Sequence, residues 1–392
     1  MDVQALKQAA TKELDSILRY WTKYALDKEQ GGVVGQVDND NTRHPQADKG
    51  AVLHARVLWT FSAAYQATRQ SAYRKIADEV YRYFVQYFID PVHGGVYWTI
   101  RHNGEPLDTK KQVYAQAFAI FALSAYYAAS GYPPAREEAI KLYHLLQQHS
   151  YDPVKGGYFE AFGRAWNTVD DGRLSSKDAN EKKTMNTHLH VLEAYSTLYG
   201  SWPQESLRVQ IQQLLQVFDQ HIINPHNGHL HLFFDEHWQV KGDAISYGHD
   251  IEASWLLLEA AERIQDEHWV DRCRQIALTM SNATLEGMDV DGGLWYEYEP
   301  AHDRMVQEKH WWPQAEAVVG FVNAWQISGE AKYAQHAIGA WQFIDQHLID
   351  HERGEWYWGM TAGYRPMPQG KVGLWKCPYH NGRACLEIMK RL

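Results

Sequence analysis

Two kinds of helical segment alternate along the 392-residue chain. The first kind carries apolar residues at helical spacing on one face and ends at a turn rich in Asp, Asn, Pro and Gly. After a short alternation of aromatic and β-branched residues comes the second kind, which is poor in charge and rich in Ala, Leu and aromatic residues. The first pattern predicts a half-exposed helix, and the second predicts a buried one.

The turn between the two kinds of segment occurs six times. Its copies span residues 27–37, 90–100, 152–162, 224–234, 289–299 and 350–360. Their first glycines follow one another at intervals of 62 to 72 residues. Even spacing of this kind marks a repeat architecture. Three copies contain Asp-Pro or Asn-Pro, which ends a helix because the residue before proline avoids the helical conformation.

These repeats predict an all-α fold, an (α/α)6 barrel of six outer and six inner helices with short β-hairpins at the active-site face. The predicted outer helices span residues 6–24, 73–89, 135–149, 205–223, 269–285 and 331–349. The predicted inner helices span residues 51–67, 113–129, 188–199, 250–265, 314–328 and 382–392. The turns and the inner-helix N-termini share one face, where we expect the active site. We expect one domain, 1–392, rather than an open solenoid, since no atypical capping repeat is present.

Composition narrows the possible functions. The formal net charge is −10 and Lys and Arg form no cluster beyond short pairs, so we expect no nucleic-acid partner. No apolar run approaches the roughly 18 residues of a membrane span, and the chain does not open with a secretory signal pattern. We therefore expect no membrane contact and a cytoplasmic location. Three cysteines, an odd and low count, argue against a disulfide framework.

Polar and aromatic residues that a core would exclude stand at the start of each predicted inner helix. The six sets lie within residues 54–56, 114–116, 186–190, 249–252, 310–316 and 379–383. If the barrel closes, these equivalent positions converge on one pocket. Aromatic residues make up 13% of the chain and include 16 Trp, which suits a sugar-binding cleft because a pyranose ring presents an apolar face.

Metal and nucleotide sites are not favoured, although the chain has 21 histidines. His188 and His190 are two residues apart, so a helix directs them differently, whereas His229 and His231 could share one face of a strand. The chain has no HExxH motif, no Cys/His set with zinc-site spacing and no GxxxxGK[ST] phosphate loop. We therefore predict no metal ion and no cofactor.

Long motifs at the repeat positions resemble the cellobiose 2-epimerases of the N-acylglucosamine 2-epimerase superfamily. They read GAVLHARVLWTF, VYAQAF, MNTHLHVLEAY, SYGHDIEASWLLLEA, HWWPQAEAVVGF and LWKCPYHNGRACLE, in family order along essentially the whole chain. The resemblance implies an (α/α)6 barrel and no required metal. It also implies interconversion of glucose and mannose at the reducing end of a β-1,4-linked disaccharide. One departure is Cys377, where familiar members have glycine.

The resemblance also implies which residues form the site. The catalytic residues expected from it are Arg56, His190, His249 and His380. The expected substrate-binding residues are Tyr114, Asn186, Glu252, Trp312 and Trp375, to which we add Glu316 of the fifth motif.

The chemistry of C2 inversion explains these residue types. The C2 proton of an open-chain aldose is acidic because it is α to the C1 carbonyl, so a base removes it and an acid returns a proton to the opposite face. Imidazole suits both tasks, and the resemblance assigns them to His249 and His380 in an undecided order. His190 is then expected to open the ring or bond the C1 oxygen. Arg56 would stabilise the enediolate. Glu252, three residues after His249 on the same helical face, would orient the imidazole of His249.

Several alternatives stay open at this stage. His54 and His188 fit the motif positions, and both structural and functional roles are possible for them. Four histidines outside the motifs are expected to be structural, namely His144, His221, His336 and His347. Cellobiose and β-1,4-mannobiose are both possible substrates, loops 170–183 and 364–370 are expected to contact the second sugar, and a monomer is expected.

Three other functions are also consistent with the residues. An aldose–ketose isomerase would form the same enediolate but reprotonate it at C1. An (α/α)6 glycoside hydrolase would use two carboxylates, for which Asp250, Glu252 and Glu316 are candidates. A non-catalytic sugar-binding protein would need the aromatic residues but would gain little from three convergent histidines.

Overall fold

The computed structural model describes residues 1–392 and contains twelve α-helices. In chain order they are α1 (Val3–Tyr20), α2 (Ala51–Thr68), α3 (Ser71–Tyr87), α4 (Val113–Ser130), α5 (Pro133–His149), α6 (Met185–Tyr199), α7 (Glu205–Val217), α8 (Tyr247–Arg263), α9 (Glu267–Thr284), α10 (Trp311–Ser328), α11 (Ala331–Phe343) and α12 (Tyr379–Arg391). Single π-helical turns extend α1, α7 and α11, at Trp21–Ala25, Phe218–Ile222 and Ile344–Leu348.

The helices form two concentric layers. The even-numbered helices pack against one another in chain order, and α12 packs against α2, so the inner ring closes. Helices α3 to α11 of odd number pack outside against the even-numbered helix that precedes each of them, while α1 packs against α12. The two ends of the chain therefore complete the barrel together, and the predicted (α/α)6 architecture is confirmed.

Four inner helices begin three residues before their predicted starts, at Met185, Tyr247, Trp311 and Tyr379. The sequence reading excluded polar residues such as Asn186 and His249 from the helix. The first turn of a helix tolerates them because its backbone N–H groups have no intrahelical acceptors in any case. The polar motif residues are thus held by helical geometry around the mouth of the barrel.

Eleven short strands lie at the face where the outer helices end. They are β1 (Lys49–Gly50), β2 (Thr99–Ile100), β3 (Pro106–Asp108), β4 (Lys111–Gln112), β5 (Ala161–Phe162), β6 (Lys183–Thr184), β7 (Phe233–Phe234), β8 (Glu297–Glu299), β9 (Arg304–Val306), β10 (Lys309–His310) and β11 (Gly359–Met360). Only β2–β3 and β8–β9 form hairpins within a repeat. The pairs β1–β2, β4–β5, β6–β7 and β10–β11 instead join each repeat to the next.

One side chain near the start of each inner helix fastens that helix to the preceding turn. In five repeats it accepts a hydrogen bond from the backbone N–H that follows the turn, and in the sixth Asn381 reaches the same place through Glu355. We call these six side chains the latch residues: His54, Gln116, His188, Asp250, Gln314 and Asn381. Each satisfies, directly or through Glu355, a buried backbone donor that would otherwise be costly.

In two repeats the second glycine of the turn makes room for the latch residue. Gly157 has φ +77°, and a Cβ there would lie 2.5 Å from Nε2 of His188. Gly95 has φ +73°, and a Cβ there would lie 3.0 Å from Oε1 of Gln116. Glycine at these two positions therefore serves both a left-handed backbone and a close approach to an inner helix.

Lysine–aspartate pairs hold five of the six turns, and all but the Lys309–Asp289 pair are buried on both sides. They are Lys49–Asp27, Lys111–Asp90, Lys183–Asp152, Lys309–Asp289 and Lys371–Asp350, with N–O distances of 2.7 to 3.0 Å. The fourth repeat has Asn224 and Ile245 at the corresponding places and lacks both charges together. There Asp250 pairs with His229 instead, at 2.7 Å. A buried charge is tolerated only with its partner, so both charges are absent together.

The hydrophobic core is continuous from Leu6 to Ile388. Helix α4 is the one helix long and apolar enough to cross a membrane, but 78% of it is buried inside the barrel. Its composition is therefore that of an inner-ring helix packed on all sides.

Candidate active site

Six side chains, each two residues after a latch residue, point to the axis of the barrel. In ring order they are Arg56, Phe118, His190, Glu252, Glu316 and Arg383, and all are buried. Four of them, Arg56, His190, Glu252 and Glu316, are predicted catalytic or binding residues from different repeats that the closed ring brings together. Arg56 lies beside Phe118, with its guanidinium carbon 4.1 Å from the ring centre.

Arg383 ties three carboxylates together at the bottom of the site. Its Nη2 donates to Oε1 of Glu252 at 2.5 Å and to Oε1 of Glu316 at 2.6 Å, while its Nη1 donates to Glu193 at 2.6 Å. Nη1 also contacts the hydroxyl of Tyr379, which in turn donates to Glu193 at 2.6 Å. Burial and the nearby negative charge of Glu316 raise the pKa of Glu252 to about 7, although Arg383 opposes the shift.

The three predicted catalytic histidines share one arrangement. Each has a side-chain partner at Nδ1 and no protein partner at Nε2. The Nδ1 atom of His190 lies 3.0 Å from Glu193, that of His249 lies 2.8 Å from the hydroxyl of Ser246, and that of His380 lies 2.7 Å from Glu316. Every one of these imidazoles therefore keeps a ring nitrogen available for a ligand.

The prediction that Glu252 orients His249 is wrong. Glu252 turns to Arg383 and lies 3.9 Å from Nδ1 of His380, while Ser246 holds His249. A buried carboxylate is stabilised by a charged partner, and Arg383 supplies one where a neutral imidazole would not.

Burial keeps two of these imidazoles neutral. It lowers the pKa of His249 to about 3, with a smaller contribution from His190. It also lowers the pKa of His380 well below its ordinary value, assisted by the positive charges of Arg56 and Arg383. A neutral imidazole with one free nitrogen is a ready proton acceptor, and its conjugate acid in this setting is a strong proton donor.

Arg56 faces the histidines from α2, the first inner helix. Its Nη2 donates to the hydroxyl of Tyr114 at 2.7 Å, and its Nη1 lies 3.9 Å from the sulfur of Cys377. The Nε atom of Arg56 is buried with no partner. Tyr114 also contacts the ring of His190, with ring centres 5.1 Å apart. Cys377, the departure from the family motif, is thus part of the wall around the arginine.

Aromatic side chains line the more open part of the site. Trp312 lies against both His249 and His380, with ring centres 4.6 and 5.7 Å apart. Trp375 packs at 6.0 Å from Tyr114 on the opposite side of the ring of helices. Asn186, which is half-buried, has a side-chain oxygen that is buried and without a hydrogen-bond partner. These contacts, together with those of Glu193 and Arg383, connect every predicted site residue except Asn186, which stands on the first turn of α6.

His54 and His188 are resolved as structural residues. Both ring nitrogens of His54 bond to backbone, to Gly50 O and Val33 N. Those of His188 bond to Thr184 O and Tyr158 N in the same way. Neither imidazole has a nitrogen left for a ligand. The four histidines expected to be structural lie on outer helices or their π-helical extensions: His144, His221, His336 and His347.

One group of side chains has the composition of a metal site. Ligand atoms of Glu252, Glu316 and His380 lie within 4.8 Å of one another. Nη2 of Arg383, however, donates to both carboxylates, so a cation already occupies the position that an ion would need. This donor set does not fit a metal ion.

The chain matches a family model along most of its length. Residues 31–384 match the model of N-acylglucosamine 2-epimerase (GlcNAc 2-epimerase). The chain belongs to the N-acylglucosamine 2-epimerase family. Over 388 residues it is 45% identical to a cellobiose 2-epimerase of Bacteroides fragilis, a match that covers 98% of this chain and 99% of the relative. Family membership and these relatives make the protein a sugar 2-epimerase, an isomerase.

A solved structure and a more distant relative extend the comparison. The structure of cellobiose 2-epimerase from Bacillus thermoamylovorans has a TM-score of 0.94 and 37% identity, covering 99% of this chain and 100% of that chain. A D-mannose isomerase of Marinomonas mediterranea is 25% identical over 376 residues, covering 91% of this chain and 89% of the relative. The fold of this chain is therefore very similar to that of a solved cellobiose 2-epimerase.

Sequence reasoning assigned no role to four residues of the site. They are Phe118, Glu193, Tyr379 and Arg383. Aligning the six repeats on the latch residues would have found Phe118 and Arg383, because both stand two residues further along, like Arg56 and His190. Glu193 had a weaker signal, a carboxylate three residues after His190 on an otherwise uncharged helix.

Proposed function

We propose that the protein inverts C2 of the reducing-end hexose in a β-1,4-linked disaccharide, through an enediolate formed and quenched by two histidines. The observation that carries the proposal is the shared state of His190, His249 and His380. Each imidazole is fixed at Nδ1 and free at Nε2. Shared neighbours link all three, since Glu193, Arg383 and Glu316 join His190 to His380 and Trp312 joins His380 to His249. A binding protein has no need of three imidazoles prepared in this way.

His249 and His380 are the proton-transfer pair. Both lie against Trp312, on which a sugar ring can stack, so they approach the same bound ring. One takes the C2 proton as a neutral base. The other gains a proton from solvent once the negatively charged enediolate has formed beside it, and it gives that proton to the opposite face of C2, while the first histidine releases the C2 proton to solvent. In the reverse direction the two exchange roles. Glu316 at Nδ1 of His380 stabilises the imidazolium that forms there.

Arg56 stabilises the enediolate. Its guanidinium is buried, and Tyr114 fixes one edge of it. The partnerless Nε of Arg56 and oxygen of Asn186 are polar atoms that a substrate would satisfy. Negative charge that develops on the sugar oxygen at C1 or C2 is attracted to this fixed cation more strongly than it would be in water.

The remaining assignments follow from the site and the relatives. His190 opens the pyranose ring before C2 becomes acidic. Trp312 and Trp375 stack on the sugar residues, and Glu252 and Glu316 hold the machinery through Arg383 and His380. Cellobiose is the first candidate substrate because the 45% identical relative is a cellobiose 2-epimerase, and β-1,4-mannobiose is the second. We further propose a cytoplasmic, single-domain monomer that needs no metal ion or cofactor.

The test is an assay of the purified protein in D2O with cellobiose and with β-1,4-mannobiose, before and after treatment with a chelator. Chromatography separates the products and NMR identifies them. We expect a C2 epimer of unchanged linkage that carries deuterium at C2, with equal rates after chelation. Monosaccharide products would contradict the proposal in favour of a hydrolase, and no reaction with either sugar would contradict the substrate.

A second candidate activity is aldose–ketose isomerisation. The 25% identity to a D-mannose isomerase favours it, because that reaction shares the enediolate. The same D2O assay separates the two, since an isomerase gives mainly a ketose with deuterium at C1. A hydrolase is less favoured, because Glu252 and Glu316 are both engaged by Arg383.

A further inference from the structure

Glu193 is a buried carboxylate at the centre of the site that none of the proposed steps yet uses. It stands on α6 one helical turn after His190, so both side chains leave the same face of the helix. Its Oε2 lies 3.0 Å from Nδ1 of His190. It also accepts hydrogen bonds from the Tyr379 hydroxyl and from Nη1 of Arg383, each at 2.6 Å.

These contacts determine how His190 presents its ring. Burial opposes ionisation, but Arg383 and His190 hold the pKa of Glu193 below its ordinary value. An ionised carboxylate is only an acceptor, so the Nδ1 atom of His190 carries the hydrogen of their bond. The Nε2 atom then has a free lone pair, and the edge-on ring of Tyr114 and the ring of Phe118 fix its direction.

We propose that Glu193 is the positioning residue for ring opening and acts through His190. The inference rests on the proposed function. Nε2 of His190 accepts the proton of the anomeric hydroxyl, and the C1–O5 bond breaks as the C1 carbonyl forms. The imidazolium then gives the same proton to O5, so no net proton is consumed. Glu193 stabilises the imidazolium between the two transfers.

The same carboxylate connects ring opening to proton transfer. A continuous series of hydrogen bonds runs from His190 through Glu193, Arg383 and Glu316 to His380. The orientation of the ring-opening histidine and that of a proton-transfer histidine therefore depend on one guanidinium group.

Ring opening has its own readout, the interconversion of sugar anomers. We would follow the optical rotation of freshly dissolved β-cellobiose with the His380→Asn variant, in which C2 inversion is blocked. We expect this protein to accelerate mutarotation and Glu193→Gln, added to it, to reduce the acceleration about 10- to 100-fold. Glu160→Gln is the matched control. Glu160 is equally buried but bonds only Thr184 and Thr187, so its loss should leave the acceleration unchanged.

A double-mutant cycle separates positioning from mere structural support. If Glu193 acts through His190, then Glu193→Gln should cost less than about 3-fold in kcat when His190 is already Asn, and Glu193→Asp should restore part of the rate. A purely structural role would give the same loss in both backgrounds. Nitrogen-15 NMR of His190 in the unaltered protein serves even if Glu193→Gln does not fold, and we expect the tautomer with hydrogen on Nδ1.

Three results would overturn the inference: no acceleration of mutarotation, an acceleration that Glu193→Gln leaves unchanged, or hydrogen on Nε2 of His190. Each can occur in a protein that still epimerises a disaccharide, so the inference can fail while the proposed function stands. Absence of epimerisation by the unaltered protein would instead remove the proposed function.

Discussion

His188 and His190 lie two residues apart on α6, yet the barrel engages their imidazoles differently. Both nitrogens of His188 bond to backbone, at Thr184 O and Tyr158 N. His190 has one side-chain partner, Glu193, and a free Nε2. His188, a latch residue, uses both ring nitrogens to hold a turn, whereas His190 keeps one ring nitrogen for a ligand. Residue type and burial are alike, so the partners distinguish the roles.

The contrast extends around the whole ring. Latch positions accept Gln, Asp or Asn in place of His, because any of these can engage the buried backbone after the turn or, in the sixth repeat, Glu355. The positions two residues after the latch residues carry Arg, Phe, His or Glu, and each of these side chains has a distinct charge or shape. The latch positions repeat a single structural task six times. The positions two residues further along divide a chemical task among six helices.

The largest expected effect is at a proposed catalytic residue, His380, which directly precedes the latch residue Asn381. His380→Asn should reduce kcat by about 10³-fold or more, because the proton-transfer group is lost. The amide still reaches Glu316, so the free energy of unfolding and the affinity for cellobiose should change little. Initial rates, calorimetric binding and thermal unfolding check these expectations. A large loss of stability with activity retained would place His380 with the latch residues.

The next largest effect concerns a latch residue, His188, and we expect it mainly in the free energy of unfolding. His188→Ala leaves the buried N–H of Tyr158 without an acceptor and creates a cavity, so we expect a loss of about 2–4 kcal/mol in the free energy of unfolding. Chemical denaturation measures it. The kcat of the folded fraction should stay within a few-fold of the unaltered protein. A 100-fold fall in kcat would contradict the distinction between latch residues and site residues.

Acid sensitivity should follow the latch histidines. Burial lowers the pKa of His54 to about 3 and that of His188 to about 4. The unfolded chain binds protons near pH 6.5 and the folded one does not, so both residues lower stability as the pH falls from 6.5 towards those values. His54→Gln, which copies Gln116, should match the unaltered protein at pH 7.5.

At pH 5 the same variant should be more stable than the unaltered protein by roughly 2 kcal/mol, since the unfolded state no longer gains a proton at this position. Urea denaturation at both pH values gives the difference. An equal change in both proteins on acidification would mean that His54 does not carry this sensitivity.

The smallest expected effect concerns Ser246. Its hydroxyl bonds Nδ1 of His249 and does not cap α8, so Ser246→Ala should leave the helix stable. Loss of the orienting bond should lower kcat about 10-fold, and Ser246→Thr should retain most of the rate. Steady-state kinetics of both variants is sufficient. An unchanged kcat for Ser246→Ala would show that Trp312 alone holds the imidazole.

Much of the site could be predicted because the repeats fix where residues converge. Arg56, His190, Glu252 and Glu316 occupy one repeat position on four helices, so closing the ring brings them together whatever the loops do. Helix starts were less accurate. The polar residues that looked like loop, such as Asn186, belong to first helical turns, where backbone N–H groups need no helical partner.

The partners of each side chain could not be predicted. Glu252 stands one turn after His249, and local spacing therefore favoured a bond between them. Arg383, 131 residues away, takes the carboxylate instead. Glu193 joins Tyr379 and Arg383 across the barrel, at separations of 186 and 190 residues. Such choices depend on which opposite charge is closest after closure, and no local pattern contains that distance.

The sequence by itself determined the number of repeats, the helical class, the family and the repeat positions at which polar residues meet. These follow from periodicity and residue type, which are local properties of the chain. Only the tertiary structure decided which histidines are structural, which charge holds which imidazole and why Glu252 and Glu316 both turn to Arg383. Those outcomes depend on burial and on distances between helices far apart in sequence, and both exist only once the ring has closed.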